Sequence, residues 1–155
     1  MRQLTGLVSA CAGIWVFCVA YAAGSQSPGV GESGSPQNQT IWSGVYSEAQ
    51  AYRGEKVADT TCIGCHGPKL DGGDSGPKLV GEDFLANWSS QPMGVMFDWI
   101  REAMPAEAPG TMSRDETAAV VAYILKLNKI PAGKQDLSTD PEALRRISIV
   151  DAPPR

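Results

Sequence analysis

Apolar residues recur at helical spacing in the second half of the chain, and no alternation of period two persists along it. From about Gln91 to Ala103, Met96, Trp99, Ile100 and Ala103 fall at i, i+3, i+4 and i+7, while Asp98, Arg101 and Glu102 take the other side. Val120, Tyr123, Ile124 and Leu127 repeat the pattern in a helix that runs to about Asn128 and opens at the capping box Ser113-Arg114-Asp115-Glu116. Pro131 and Gly133 stop it. An earlier capping box, Ser47-Glu48-Ala49-Gln50, starts a helix to about Asp59, with Ser47 as N-cap and Gln50 reaching back. Its Ala51, Gly54 and Ala58 form a strip of small residues. A glycine inside a helix costs about 1 kcal/mol relative to alanine, so Gly54 points to the close approach of another element.

Between these segments the chain breaks. Gly67 to Gly81 carries five glycines and two prolines and reads as a loop. Phe84 and Trp88, four apart, suit a short helix with one apolar side. Met104-Pro105 ends the helix before it, because a residue preceding proline is driven out of the α region. Ala106 to Thr111 follows as an extended loop. Asp140-Pro141 starts a short terminal helix, with Leu144 and Ile147 available to pack back. These elements make an all-α domain.

The two ends read differently. Met1 to Ala23 has a weakly positive start at Arg2, an apolar run and small-residue cleavage sites around Tyr21-Ala22-Ala23, the layout of a secretory signal peptide. An uncleaved membrane anchor is the alternative, since the run approaches bilayer-spanning length. Residues 24–43, rich in Gly, Ser, Pro, Gln and Asn, are expected to be a disordered spacer. Residues 44–133 form the domain, and 134–155 a C-terminal extension that packs on it.

Composition narrows the chemistry. The leader holds one basic residue and no acid, so its removal leaves 12 basic against 17 acidic side chains. That balance argues against nucleic acid as a partner and favours steering towards a basic patch on a protein. The membrane enters only if the leader is retained. Cys11 and Cys18 lie in the leader, so the mature chain keeps Cys62 and Cys65 alone and has no disulfide framework.

Those two cysteines belong to Cys62-Ile63-Gly64-Cys65-His66, the attachment pattern of c-type haem. Each thiol can add across one porphyrin vinyl group, which sets the adjacent imidazole beneath the iron as proximal ligand. A structural zinc site wants four thiolate or imidazole ligands, and the mature chain offers three. A thioredoxin-like dithiol would sit beside a βαβ pattern, which is lacking here. His66 is the chain's single histidine, so a second axial ligand must be of another kind. Of the thioethers, Met96 lies in a helical core stripe, Met93 near that helix's start and Met112 just before an N-cap. Met104 begins a proline-containing loop able to lay its sulfur over the distal face, and it is the candidate sixth ligand. The alternative is an open distal site.

These residues resemble the class I c-type cytochromes. The resemblance runs through Gly54, Cys62–Gly67, Gly76-Pro77-Lys78-Leu79, Met104-Pro105, Pro109-Gly110 and Ala122–Leu125. More narrowly, Gly44-Val45-Tyr46 at the start and Asn128, Pro131 and Gly133 at the end are similar to cytochrome domains and subunits of quinoprotein (PQQ-type) alcohol dehydrogenases. The resemblance implies a small cytochrome c fold wrapped around one covalent haem c. It implies that Gly54 packs on the last long helix near Tyr123 and that the Pro77 carbonyl accepts from the His66 Nδ1–H. It makes Leu79 a wall of the haem site and His66 and Met104 the iron ligands. It further implies a periplasmic single-electron carrier, not an enzyme, with a periplasmic dehydrogenase as donor and a cytochrome or oxidase as acceptor. Two other readings stay open: a haem subunit docked permanently in a dehydrogenase, and a small haem enzyme or gas sensor with an open distal site.

Overall fold

The computed structural model describes residues 39–153. The expected signal peptide and most of the expected spacer lie outside the described residues. Five helices carry the architecture: α1 (Glu48–Thr61), α2 (Ile63–His66), α3 (Glu82–Trp88), α4 (Met93–Ala103) and α5 (Arg114–Leu127), followed by a short α6 (Pro141–Arg145). The all-α expectation holds, with one small addition. Strands β1 (Gln39–Thr40) and β2 (Ile147–Ser148) pair in parallel, Gln39 opposite Ile147.

That pairing corrects the extent of the spacer. Residues 39–43 belong to the fold: a 3-10 turn, Ile41–Ser43, follows β1 and Ile41 is fully buried. The Trp42 indole Nε1–H donates to the Val150 carbonyl at 3.1 Å. The Ile41-Trp42 pair anchors this segment in the core, and the strand pairing holds it to residues a hundred positions away.

The principal helix contact is α1 on α5. On α1 the buried positions are Gln50, Ala51, Gly54 and Ala58, the small-residue strip with Gln50 added. A Cβ at Gly54 would run into the Ala119 carbonyl of α5. The two backbones touch there, and only hydrogen fits. The contact falls at Ala119 and Val120, one turn before Tyr123. Helix α5 is buried from Thr117 to Leu125, all round rather than on one stripe, since α1, α4 and the rest of the core share its surface. Lys126 escapes and binds Glu48 of α1, 2.7 Å away.

Helix α4 carries two overlapping stripes. Met93, Met96 and Phe97 are buried with Ile100 partly so, and Leu144 of α6 packs beside Gly94. Met96, Trp99 and Ile100 of the expected stripe line the cavity described below.

The Ser47 hydroxyl caps α1, accepting from the Gln50 amide at 3.0 Å, and Ser113 and Glu116 complete the box on α5. Gln50, however, does not reach back to Ser47. Its carboxamide accepts from the Leu137 N–H at 2.6 Å and donates to the Leu137 carbonyl at 3.0 Å. A primary amide carries one acceptor and one donor group, which matches both polar groups of a buried backbone unit. The C-terminal segment is thereby stitched to α1. Beyond it, Ile149 exchanges backbone bonds with Ser90 and Gln91 at 2.9 Å each.

Three outcomes follow from this packing. Gly54→Ala should destabilise the domain by about 3 kcal/mol or more, because backbone cannot yield to a new methyl, read as a lowered denaturation midpoint. Gln50→Leu keeps the volume but strands both polar groups of Leu137, at about 1–3 kcal/mol for each buried group; urea unfolding measures it. Burial, and secondarily the Glu48 carboxylate, pushes the Tyr46 phenol up to about 12; its hydroxyl donates to the Ile130 carbonyl at 2.6 Å. The folded phenol then keeps a proton that the unfolded one loses near pH 10, so stability should fall from pH 10 towards 12. Tyr46→Phe should remove that slope.

Candidate haem site

Helix α1 ends at Thr61, and Cys62 links it to the single turn of α2, whose last residue is His66. Amides 66 and 67 return to the carbonyls of Cys62 and Ile63 at 2.9 and 3.0 Å. This tight turn sets both sulfurs and the imidazole on one wall of a cavity of about 530 Å³. The motif works because a helical turn separates the two cysteines by about 300° and leaves the next residue beside them.

The loop after α2 is pinned. Leu70, fully buried at φ 54°, is its apolar plug; its amide donates to the Gly67 carbonyl, and the Leu79 amide donates to Leu70's carbonyl at 2.8 Å. A Cβ at Gly76 would press on the imidazole nitrogen, so glycine lets the strand lie against the ring. There the Pro77 carbonyl stands 2.6 Å from His66 Nδ1. A carbonyl can only accept, so Nδ1 carries a proton and Nε2 is the nitrogen left for a ligand. With His66 8% exposed, the ring is held in one orientation.

A further part of the wall comes from the end of α4. Met104 caps that helix in extended conformation (φ −120°, ψ 148°), and with Pro105, Ala106 and Glu107 it lines the cavity. Leu79 and Phe84 contribute one apolar side, Ile100, Val120 and Ile124 another. Asn128 closes the arrangement: its carboxamide accepts from the Gly81 amide at 2.9 Å and donates to the Leu79 carbonyl at 3.0 Å.

All six candidates, Cys62, Cys65, His66, Pro77, Leu79 and Met104, therefore meet at one cavity. Of the other methionines, Met96 and Met112 also reach its wall, and Met93 does not. Sequence reasoning missed Met96 and Met112 as wall residues, together with Glu107 and Asn87; Trp88 and Trp99, read from the sequence as either core aromatics or haem contacts, both line the cavity. Helical periodicity assigns such residues to a core face without telling whether that face meets protein or a ligand. Burial pushes the Cys62 thiol up, with the Cys65 thiol adding to the shift and a Thr61 hydrogen bond opposing it. Among the described residues no cluster of three or more His, Cys, Asp or Glu side chains forms a metal cage.

The donor set fits a haem. Two thiols and one lone-pair imidazole share a wall, a thioether faces the same space, and the lining between them is mainly apolar. The volume lies within the range usual for cofactor pockets, about 300–1,000 Å³.

Comparison with known proteins agrees. Residues 49–124 match the family described as "Cytochrome C oxidase, cbb3-type, subunit III". Over 112 residues the chain is 30% identical to a cytochrome bc1 complex cytochrome c subunit of Corynebacterium diphtheriae, covering 66% of this chain and 40% of that relative. The chain thus spans well under half of that protein's length. In fold, it is similar to a chain of the sulfane dehydrogenase SoxCD from Paracoccus pantotrophus, with TM-score 0.50 and 22% identity, over 79% of this chain and 68% of the other. The described helices, wrapped about a cavity that carries the Cys62–His66 motif on its wall, have the all-α cytochrome c fold, and the chain is similar to cytochrome c subunits.

Proposed function

We propose that this chain is a periplasmic, monohaem c-type cytochrome that relays single electrons and turns over no substrate of its own. The observation that carries the reading is the His66–Pro77 contact at 2.6 Å, which presents Nε2 to a cavity that Met104 also enters. Bound there, the haem supplies a reversible Fe(III)/Fe(II) couple. Cys62 and Cys65 hold it by two thioethers, so it is not lost on exchange. His66 is the proximal ligand, and the Pro77 carbonyl fixes its tautomer and raises its basicity. Leu79 excludes water from one face.

Met104 is the sixth ligand. It alone among the wall methionines lies outside a tightly packed site: Met96 and Met112 are 1% and 6% exposed within the core, where thioethers serve as filling. Methionine ligation stabilises the ferrous state and raises the potential. The charged residues on the cavity wall are Lys78 and Glu107; Arg101 and Glu102 pair with each other at 3.4 Å instead of lining it. A distal histidine or arginine of the kind peroxide chemistry uses is therefore lacking among the described wall residues, which favours the carrier over the enzyme or sensor.

The apolar leader of residues 1–23 supports export to the periplasm. A periplasmic dehydrogenase is the donor, of quinoprotein type by the order of motifs in the sequence, and a cytochrome or terminal oxidase the acceptor. A second reading, a haem subunit held in a larger assembly, draws on the curated relative being named a subunit of the bc1 complex. Co-purification with a dehydrogenase at fixed ratio would select it.

The visible spectrum of periplasmically matured protein tests the core of this reading. Reduced protein should show sharp low-spin bands unaltered by carbon monoxide, and Met104→Ala should open the site to that gas. Rapid carbon monoxide binding by the native protein would refute methionine closure.

A further inference from the structure

We propose that Glu107 sets the reduction potential of the haem, holding it lower than methionine ligation alone would place it; this rests on the covalent-haem reading above. The Glu107 carboxylate Oε1 lies 3.9 Å from Cys65 Sγ, the sulfur that becomes a thioether. Residue 107 stands three positions after Met104, on the segment Met104–Glu107 that lines the cavity throughout. Its side chain therefore connects the Met104 segment to Cys65 on the cavity wall.

The position is held by the backbone. The Ala108 amide donates to the Pro105 carbonyl at 2.9 Å, and the Thr111 hydroxyl donates to the Ala108 carbonyl at 2.8 Å. The turn thus sets where the carboxylate starts. Its charge is also uncompensated. Glu107 joins no ion pair among the described residues, whereas Lys78, the other charge on the wall, lies 3.8 Å from Asp83.

Loss of an electron adds one positive charge to the haem. A lone carboxylate beside it attracts that charge and favours the oxidised form. Glu107 is exposed, so water weakens the attraction and salt screens it further. The effect is accordingly modest in size and marked by its dependence on ionic strength. Neither ligand identity nor packing would produce that dependence.

Potentiometric titration of the haem-loaded native protein, Glu107→Gln, Glu107→Lys and Lys78→Gln at low and high salt tests the assignment. At low salt Glu107→Gln should favour the reduced form by about threefold, or about 28 mV at 59 mV per tenfold. Glu107→Lys should move further the same way and Lys78→Gln slightly the opposite way, and all shifts should shrink at high salt. Potentials of Glu107→Gln and Glu107→Lys that coincide with the native value at low salt, or shifts that ignore the sign of the charge, overturn the proposal. Spectra of the same samples separate the two claims. Unchanged low-spin bands with unmoved potentials leave the carrier reading standing and remove Glu107 alone. A native protein without covalent haem removes both. Should Glu107→Lys not fold, the near-isosteric Gln variant and its salt dependence still decide.

Discussion

The approach of α1 to α5 at Gly54 governs how far apart the walls of the haem cavity stand. Helix α1 runs directly into the Cys62–His66 turn, and α5 supplies Val120 and Ile124 to the other side. Any side chain at 54 would separate the backbones, and the displacement would pass along two stiff helices to the cysteines and to the apolar wall at once. The small strip Ala51, Gly54 and Ala58 is thus less a stabilising core than a spacing device.

Around that contact, loops are secured by side chains that imitate backbone. Gln50 satisfies both polar groups of Leu137, and Asn128 holds Leu79 and Gly81 in the same fashion. The Pro77 carbonyl does the converse and completes the imidazole. At Leu137 and His66 the group so paired is buried and would cost free energy if left alone; at Leu79 and Gly81 the pairing lies nearer the surface. Segments without regular structure are thereby made as definite as helices, which a site assembled from loop 67–81 and the 104–111 turn requires.

Much of this was legible before any coordinates. The pentapeptide at 62–66, the cap at Ser47, the box at Ser113, the break at Met104-Pro105 and the anomaly of Gly54 all depend on local stereochemistry. What escaped depends on partners distant in sequence. On α4 two overlapping sets satisfy one helical repeat: Met96, Trp99 and Ile100 turn to the cavity, while Met93 and Phe97 are buried in the core, a face that only distant packing partners reveal. Gln50 looked like a local cap because its competitor, Leu137, is 87 positions away. Residues 39–43 continue a polar stretch in sequence, and the short apolar pair Ile41-Trp42 gains its meaning only from partners more than a hundred positions away. The site residues were the easier part, since cofactor chemistry demands residue types, whereas packing demands only shape.

The Asn128 carboxamide has a dynamic consequence. Because it terminates α5 while gripping Leu79 and Gly81, that flank of the cavity has no independent hinge. Opening it means breaking the helix end as well, so its fluctuations belong to the same cooperative unit as the helical core. Thermal breathing of the loop, and with it water's access to the cavity, is thereby governed by the fraying of a helix.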